Sequence, residues 1–327
     1  MKVRRETWPI DGVFAISRGA TTSVDVVVAT IEEGGVVGRG EGVPYSRYSE
    51  TVESVIATVA SVTEALEAGA DRSDLQAALQ PGAARNALDC ALWDLEARLS
   101  GRPFWELAGL PRPEPVVTAF TLSLDEPEAM GERARRHADR PLLKLKLGTD
   151  ARDLARLEAV RAGAPGARLI VDANEGWSIE AYSRLAPRLA ELGVEMIEQP
   201  LRAADDEALA HTPRPVPVCA DESCHDRASL ASLRGRYDMV NIKLDKTGGL
   251  TEALELEAAA SAAGFGIMVG MMVSTSLSVA PAMLVAQRAK VVDLDGPLLL
   301  AKDRAGGMRY DGSVLSWPGP GFWGEHV

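Results

Sequence analysis

Charged residues recur at or near the ends of short apolar runs in the second half of the chain. These residues are Lys144, Lys146, Asp172, Glu198, Asp221, Lys243, Asp245, Asp293 and Asp295. A charge within such a run is costly to bury unless it is paired or bound to a metal ion. Their recurrence therefore predicts one shared polar site rather than a series of isolated surface charges.

Three carboxylates on three successive apolar runs could bind one metal ion. Asp172, Glu198 and Asp221 offer only oxygen ligands, which suit a hard divalent cation that keeps other positions for water and substrate. Mg²⁺ is the first choice, with Mn²⁺ as a substitute. Glu222 is the alternative to Asp221, because strand alternation lets only one of two neighbours face inward. The sequence thus predicts a magnesium site where these runs end.

Two lysines flank the carboxylates. If the runs close into a barrel, Lys146 and Lys243 face each other across its diameter and could act as opposed bases, one on each face of a substrate. A lysine with its ordinary pKa of ~10.4 is charged at neutral pH, so a base needs a lowered pKa. The metal ion and Lys144 would lower the pKa of Lys146. Lys144 is expected to bind a substrate carboxylate as well. The alternative for Lys144 is a salt bridge to a strand carboxylate.

The runs that carry these charges are predicted strands, most of them separated by helix-length segments. They are VVTAFTLS, LLKLKLG, ARLIVDAN, VEMIEQP, VPVCADES, DMVNIKLDK, GIMVGMM and VVDLDGP. Strands that alternate with helices predict βαβ units, and this number of strands predicts a closed α/β barrel over 116–305 with a short or absent last helix. An open doubly wound sheet is the alternative, but the glycine-rich phosphate loop that it needs is absent from the sequence.

The first 115 residues predict a separate α+β capping domain. TSVDVVVATI and VVGRGEGV, joined by Gly34 and Gly35, are typical of a β-hairpin. The glycine- and proline-rich tail, 306–327, contains brief strand-like pieces and is expected to return to this domain. The chain is therefore expected to form two domains, 1–115 with 306–327 and 116–305.

Two helices are predicted within the capping domain. One runs from Glu50 to about Gly69, and the other covers AARNALDCALWDLEARL. In the second helix, the spacing of four leucines indicates a buried stripe. These leucines are Leu88, Leu92, Leu95 and Leu99.

Composition excludes several classes of protein. The chain has 327 residues, 46% of them hydrophobic, and a net charge of −12, which opposes general binding to nucleic acid or to an anionic membrane. No apolar stretch is long enough to span a bilayer, and no signal peptide is evident, so a cytoplasmic protein is expected. Cys90, Cys219 and Cys224 form no zinc-ligand pattern and are expected to be unrelated reduced thiols.

At these residues the sequence resembles the enolase superfamily, in its muconate-lactonising subgroup. The matching motifs are KLK at 144–146, VDAN at 171–174, IEQP at 197–200, ADES at 220–223 and NIKLDKTGG at 241–249. The resemblance implies a modified (β/α)₇β barrel with a capping domain. It also implies that Lys146 and Lys243 are acid/base residues and that Asp172, Glu198 and Asp221 bind Mg²⁺, so that a Lys base works with a stabilised enediolate.

Within that subgroup the sequence is most similar to the dipeptide epimerases that act on L-Ala-D/L-Glu. The resemblance assigns substrate binding to Asp293 and Asp295 in DLDGPLLL, to Arg18 in FAISRGA and to Thr121. Met271 stands where some relatives have a small polar residue, which bears on substrate preference. Arg18 is expected to bind an acidic side chain, the alternative being a solvated arginine. The two aspartates are expected to bind an N-terminal ammonium, the alternative being a contact with Lys302 or Arg304.

The resemblance implies epimerisation by 1,1-proton transfer at the α-carbon of a dipeptide's C-terminal residue, in the metabolism of peptidoglycan peptides. A homo-oligomer is expected. Other activities of the subgroup are the alternative: N-acylamino-acid racemisation, o-succinylbenzoate synthesis or cycloisomerisation. A catalytically inactive metal-binding scaffold is disfavoured, because every acid/base and ligand position is filled. A substrate with a free ammonium group needs carboxylates that face it. N-acyl substrates have no such cation and do not need them.

Overall fold

The N-terminal part of the chain forms an antiparallel sheet. A computed structural model describes residues 1–148 and 152–325. The sheet has the order β1-β2-β3, with strands Lys2–Ile16, Gly19–Glu33 and Val36–Gly42. The predicted hairpin is confirmed: Gly34 and Gly35 take φ values of 58° and 82°, the left-handed region that a tight hairpin turn requires. The preceding β1 extends the hairpin to a three-stranded meander.

Five helices follow in this part of the described chain. They are α1 (Val52–Ser61), α2 (Thr63–Glu67), α3 (Arg72–Ala78), α4 (Ala83–Ser100) and α5 (Phe104–Leu107). The predicted helix over 50–69 is present but is divided at Val62. Thr51 begins it with a capping box, in which its side chain accepts from the Ser54 N–H.

Helix α4 packs on β3 at very short range. Strand alternation puts Gly38, Gly40 and Gly42 on one face of β3. A Cβ at these positions would lie 2.1–2.2 Å from carbonyl oxygens of α4, those of Ala91, Ala87 and Ala83. Side chains are therefore excluded along this contact, and backbone meets backbone.

The leucine stripe predicted for α4 is only partly correct. Leu88 and Leu95 are buried, whereas Leu99 is 45% exposed. The other side of α4 contacts the barrel instead: the Arg85 guanidinium donates to the carbonyl oxygen of Thr247, and Asp89 accepts from the Thr251 hydroxyl. The helix lies between the sheet and the barrel, so its buried surface is wider than a stripe.

The barrel strands are all present. They form one parallel sheet in the order β5 to β12: Phe120–Leu122, Leu142–Lys146, Arg168–Asp172, Val194–Glu198, Val218–Ala220, Met239–Ile242, Gly266–Val269 and Val291–Val292. The backbone N–H of Ala119 donates to Val292 O at 2.8 Å, which joins the two ends of the sheet. The predicted α/β barrel is confirmed, and the doubly wound alternative is wrong.

Helices cover the outside of the barrel. They are α6 (Pro127–Arg136), α7 (Asp153–Gly163), α8 (Ile179–Glu191), α9 (Leu230–Leu233), α10 (Leu244–Thr247), α11 (Leu250–Ala262), α12 (Ser276–Ala286) and α13 (Gly296–Leu299). A 3₁₀ helix, Asp206–His211, lies between β8 and β9. The last helix is short, as predicted. Within 1–148 and 152–325, no helix is long and apolar enough to cross a membrane.

The tail after the barrel contacts both parts of the chain. Strand β14 (Val314–Ser316) pairs with β13 (Arg309–Asp311) on one side and with β4 (Val116–Val117) on the other, so the first predicted run begins outside the barrel sheet. Further on, Gly324 O accepts from the Phe104 N–H at 2.9 Å, and the Trp323 indole donates to Arg39 O at 2.8 Å. The domain division remains a prediction, and 326–327 of the expected return lie outside the described residues.

The barrel interior begins with an apolar layer at the N-terminal ends of the strands. One residue from each strand, or from just before it, contributes: Ala119, Leu142, Ile170, Met196, Cys219, Met239, Met268 and Val291. Because inward-facing residues recur at every second position, the next layer toward the mouth is two residues further along each strand. That layer contains most of the charged residues discussed above.

We predict that Gly40→Ala destabilises the fold. The added Cβ would lie 2.1 Å from Ala87 O and 2.7 Å from Ala91 N, so α4 must move away from β3. The free energy of unfolding should fall by about 1–3 kcal/mol, measured by urea denaturation. Gly166→Ala is the control, because nothing lies within 4 Å of its Cβ position. Equal stability of the two variants would contradict the close contact.

Candidate active site

A polar layer lies directly above the apolar layer of the barrel. It consists of Thr121, Lys144, Asp172, Glu198, Asp221, Asn241, Gly270 and Asp293, and each of its polar side chains is buried. Gly270 leaves room for its neighbour, since a Cβ there would lie 2.8 Å from the Asn241 amide oxygen. Charges packed in such a layer are tolerated only when they pair with one another or with a bound ion.

Lys144 lies at the centre of this pairing. Its Nζ is 2.6 Å from Asp293 Oδ2, 2.6 Å from Glu198 Oε2 and 3.2 Å from Asp172 Oδ2. Burial by itself would lower the pKa of Lys144, but Asp293 and the other two carboxylates outweigh it and raise the pKa well above its usual value. Lys144 is 1% exposed, and it does not line the cavity that lies between the barrel mouth and the N-terminal sheet. The salt bridge weighed as the alternative for Lys144 is present, and its contact with substrate remains a prediction.

Lys146 and Lys243 approach the cavity from opposite sides of the barrel. They lie at the ends of β6 and β10, which are four strands apart in the sheet. Lys146 Nζ lies 2.6 Å from Asp172 Oδ2, and Lys243 Nζ lies 2.8 Å from Asp221 Oδ2. Both side chains line a cavity of about 610 Å³ between the barrel mouth and the N-terminal sheet. Two amines therefore face one space from opposed strands.

The three predicted metal ligands lie on adjacent strands. Asp172 and Glu198 are direct register partners, and Asp221 follows the next strand. Asn174 N–H donates to Asp172 Oδ1 at 2.9 Å, and the Asn241 amide donates to Glu198 Oε1 at 2.6 Å. Asp172 and Glu198 are thus each oriented by a neighbouring donor.

The electrostatics of these carboxylates are set by the lysines. Burial would raise the pKa of Asp172, but Lys146 and Lys144 outweigh it and lower that pKa. Burial also opposes ionisation of Asp221, and Lys243 with Lys246 lowers its pKa well below the usual value. Conversely, burial would lower the pKa of Lys243, and Asp221 with Glu198 raises it. Asp172 and Asp221 are therefore anionic and strongly attractive to cations, whereas burial and the charge of Asp172 raise the pKa of Glu198.

The residues present fit a hard divalent cation. In the part of the chain that the structure describes, no three His, Cys, Asp or Glu side chains converge in the geometry of a bound metal ion. Instead, lysine ammonium groups lie against the oxygens of Asp172, Glu198 and Asp221. The donor set is all oxygen and anionic, as Mg²⁺ prefers. The lysine ammonium groups that pair with these oxygens show that the site binds positive charge.

Asp293 and Asp295 lie side by side at the edge of the cavity. Asp293 Oδ2 accepts from Lys144, while its Oδ1 has no hydrogen-bond partner among the described residues. Asp295 Oδ2 accepts from the Thr121 N–H at 2.6 Å. Burial, reinforced by the charge of Asp293, raises the pKa of Asp295 to about 7. The pair is short of positive charge on the side that faces the cavity.

Of the alternative partners weighed for these aspartates, Lys302 is exposed to solvent and Arg304 pairs elsewhere. Arg304 pairs with Glu6 at 2.6 Å and with Glu41 at 2.7 Å, on the N-terminal sheet.

Met271 also lines the cavity, and its sulfur accepts from the Gly296 N–H at 3.4 Å. It presents a thioether beside the aspartates.

Arg18 lies in the turn between β1 and β2, above the barrel mouth. Its guanidinium is 2.7 Å from Glu222 Oε1 and donates to the Tyr45 hydroxyl and to Asn174 O, each at 2.8 Å. The solvated alternative for Arg18 is wrong, and the turn is a β-hairpin held to the barrel. Burial, with the charge of Asp221, raises the pKa of Glu222 to about 7. Glu222 pairs with Arg18, and Asp221 lies with the lysines.

The chain matches two families that together cover most of its length. Residues 1–109 match the family described as "Mandelate racemase / muconate lactonizing enzyme, N-terminal domain". Residues 129–318 match "Enolase C-terminal domain-like". The chain belongs to the enolase superfamily. The expected family is confirmed.

Relatives within the superfamily are epimerases and racemases. The chain is 48% identical over 305 residues to the L-Ala-D/L-Glu epimerase of Escherichia coli K12, covering 93% of this chain and 95% of that protein. It is 43% identical to an N-acetyl-D-glutamate racemase of Pseudoalteromonas sp, over 91% of this chain and 95% of that protein. This enolase-superfamily chain is accordingly an isomerase.

Solved structures agree with these relatives. An enolase family member from Agrobacterium tumefaciens, described with bound sodium and L-Ala-L-Glu, has a TM-score of 0.94 and 51% identity, covering 97% of this chain and 98% of that one. The dipeptide epimerase of Cytophaga hutchinsonii, complexed with Mg and D-Ala-L-Val, has a TM-score of 0.89 and 26% identity, covering 96% and 91%. The fold is that of dipeptide epimerases.

Two site residues of this superfamily member were not singled out from the sequence. Lys246 is buried against Asp221, and the Gln199 amide oxygen accepts from the Asp221 N–H at 2.9 Å. Both lie within the matching motifs, Gln199 in IEQP and Lys246 in NIKLDKTGG, but the sequence does not show which buried groups they contact. Asp245 was expected near the barrel mouth, but it lies at the end of β3 in the N-terminal sheet, where it accepts from the Val43 N–H at 2.9 Å. The chain turns into α10 after Lys243, which directs Asp245 away from the mouth.

Proposed function

We propose that the protein is a Mg²⁺-dependent dipeptide epimerase that acts on L-Ala-D/L-Glu by 1,1-proton transfer at the α-carbon of the C-terminal residue. The observation that carries this proposal is the pair of opposed lysines, Lys146 and Lys243, at one cavity. An α-carbon held between two amines can lose its proton to one and receive a proton from the other on the opposite face. Inversion of configuration follows from this geometry.

Residues of the polar layer would hold the metal ion. Asp172, Glu198 and Asp221 are the ligands that we propose, on the basis of their donor chemistry and their adjacent strands. When bound there, Mg²⁺ would act as a Lewis acid that stabilises negative charge on the substrate carboxylate. In the structure the lysines pair with these carboxylates, and Asp221 with Glu198 outweighs burial and raises the pKa of Lys243. A 1,1-proton transfer needs one lysine neutral to remove the proton and the other charged to return one, so the metal ion would replace the lysine that acts as base as the cation on its carboxylate.

The aspartate pair favours a substrate with a free ammonium group. Asp293 Oδ1 is a buried oxygen without a hydrogen-bond partner in the described chain, and Asp295 has its pKa raised to about 7. A dipeptide's N-terminal ammonium would satisfy both, because charge-assisted hydrogen bonds form best to such buried oxygens. N-acylamino-acid racemisation is the second candidate, supported by the 43% identity to an N-acetyl-D-glutamate racemase. An N-acyl substrate would leave this pair unsatisfied.

Arg18 is proposed to bind the acidic side chain of the substrate. Its guanidinium lines the cavity, and Asn174 O and the Tyr45 hydroxyl hold it above the mouth. Besides Glu222, a planar guanidinium can bind a second carboxylate by donating its remaining N–H groups to it. Mn²⁺ as a substitute metal, a cytoplasmic location, a homo-oligomer and a role in peptidoglycan peptide metabolism remain predictions.

Removal of the metal ion should abolish activity. We expect no epimerisation of L-Ala-L-Glu after exhaustive chelation, because the substrate carboxylate then lacks its Lewis acid. Addition of Mg²⁺ should restore it, with metal content followed by atomic emission spectrometry. Calcium-saturated chelator serves as the control for inhibition by the chelator itself. Full activity at zero measured metal would refute the metal requirement.

Loss of either cavity lysine should abolish epimerisation but not all proton exchange. Lys146→Met and Lys243→Met each leave one base, which can still exchange the α-proton of one epimer in D₂O. Mass spectrometry of the C-terminal residue gives the exchange, and chiral chromatography gives the epimerisation. The control is Lys290→Met, at an exposed position. Epimerisation near the wild-type rate by either cavity-lysine variant would exclude the two-base mechanism.

Two further variants separate recognition of the ammonium from recognition of the side chain. Asp295→Asn should impair both L-Ala-L-Glu and L-Ala-L-Leu, because both dipeptides carry the ammonium. Arg18→Met should penalise the Glu dipeptide selectively, by about 1.5–3 kcal/mol in kcat/KM for a lost charged hydrogen bond. Arg168→Met is the matched control, because Arg168 pairs with Glu195 at the start of β7, the opposite end of the strand from the mouth. Equal losses on both dipeptides with Arg18→Met would remove the argument for an acidic side chain.

A further inference from the structure

Lys246 is a buried lysine whose ammonium group lies among oxygen atoms of Asp221 and Asn241. It lies in α10 and is 2% exposed. Its Nζ is 2.7 Å from Asp221 Oδ1, and it donates to the carbonyl oxygens of Asp221 at 2.5 Å and Asn241 at 2.9 Å. Two of its three N–H donors are used by the carbonyl oxygens, and its charge pairs with Asp221 Oδ1, which has no hydrogen-bond partner among the described residues. Lys246 does not line the cavity, so it does not reach a substrate held there.

Lys243 differs from Lys246 although both pair with the same carboxylate. Lys243 lines the cavity, and its Nζ lies 2.8 Å from Asp221 Oδ2. Among the described residues, Asp221 is the one carboxylate within ion-pair distance of that nitrogen. The two oxygens of Asp221 are thus divided between a lysine that faces the cavity and a lysine that is enclosed.

The opposite side of the barrel has the same arrangement. Lys146 faces the cavity and pairs with Asp172 at 2.6 Å. Lys144 is enclosed, and it pairs with Asp172 and with two further carboxylates, Glu198 and Asp293. Each cavity lysine therefore shares its carboxylate with an enclosed lysine that does not line the cavity.

The contacts of Lys246 fix the direction of the Asp221 carboxylate. Lys246 holds Oδ1, and the Gln199 amide oxygen holds the Asp221 backbone N–H at 2.9 Å. With both anchors in place, Oδ2 points toward the cavity and holds the Lys243 ammonium there. Without Lys246, Oδ1 would be a buried oxygen that lacks its cation, a costly state that rotation of the carboxylate relieves. Such a rotation would draw Lys243 away from the mouth.

We propose that Lys246 is a positioning residue for Lys243, which it holds at the cavity through Asp221 without touching the substrate. The inference rests on the proposed function in one respect, that Lys243 exchanges a proton with the substrate. Loss of Lys246 impairs the face of the reaction served by Lys243. It spares the face served by Lys146, whose carboxylate is held by Lys144.

The test measures α-proton exchange separately on the two epimers. Wild type, Lys246→Met and the exposed control Lys290→Met are loaded with Mg²⁺ and incubated in D₂O with L-Ala-L-Glu or with L-Ala-D-Glu. Initial deuterium incorporation is read by mass spectrometry. The epimer whose exchange is abolished by Lys243→Met identifies the face of Lys243. Calorimetric titration with Mg²⁺ alone measures metal affinity independently of activity.

Lys246→Met should slow exchange on the Lys243 face by about tenfold to a hundredfold, as expected for a displaced catalytic group. Exchange on the Lys146 face and the affinity for Mg²⁺ should stay within about threefold of wild type, a difference of less than 1 kcal/mol. Equal losses on the two faces, with weaker Mg²⁺ binding, would overturn the proposal and show that Lys246 only supports a metal ligand. Unchanged exchange would overturn it as well.

A second variant covers the case in which Lys246→Met does not fold, as judged by circular dichroism. Lys246→Gln keeps a polar N–H group in the buried site but removes the cation from Asp221 Oδ1, so the same face-selective loss is expected of it. If neither variant folds, Lys246 is a structural residue and the proposal fails. Absence of α-proton exchange in the wild type would refute the proposed function itself. Equal exchange in the wild type and the Lys246 variant would refute only the positioning role of Lys246.

Discussion

The pairing of Lys144 with Asp172, Glu198 and Asp293 is the interaction on which the barrel's functional end depends. A single enclosed ammonium joins carboxylates from three strands, β7, β8 and β12, to its own strand β6. Buried ion pairs of this kind contribute little net stability, but removal of one partner leaves unpaired charge at high cost. The arrangement therefore specifies geometry more than it stabilises the fold. It determines which carboxylate oxygens remain available toward the cavity.

Strand alternation explains how a polar layer can exist inside an otherwise apolar protein. In β6 the outward residues Leu143 and Leu145 are fully buried against the helices, while Lys144 and Lys146 point inward. The apolar layer below closes the bottom of the barrel, and the cavity opens above. Consequently the lysine two positions nearer the mouth reaches the cavity, and the lysine before it does not. One strand thus supplies both an enclosed cation and a group that can exchange protons.

The sequence predicted what depends on local pattern and missed what depends on packing across the molecule. The barrel strands, the Gly34–Gly35 hairpin and the positions of Lys146 and Lys243 follow from periodicity and strand alternation. The exposure of Leu99 and the direction of the Asp245 side chain do not follow from local pattern, because both depend on how α4 and the N-terminal sheet pack against the barrel. Partners of a buried charge are chosen in three dimensions, and one sequence does not contain them.

The two parts of the site differ in how firmly they are held. The acid/base lysines belong to strands whose charges interlock in the barrel interior. Arg18 belongs to a hairpin turn that reaches the barrel through ion pairs to Glu222 and Glu175 and hydrogen bonds to Asn174 O. In the proposed function, the turn selects the substrate side chain and the barrel lysines transfer the proton. Substrate choice and proton transfer would therefore rest on separate elements, and a change in the turn would leave the buried pairs of the lysines intact.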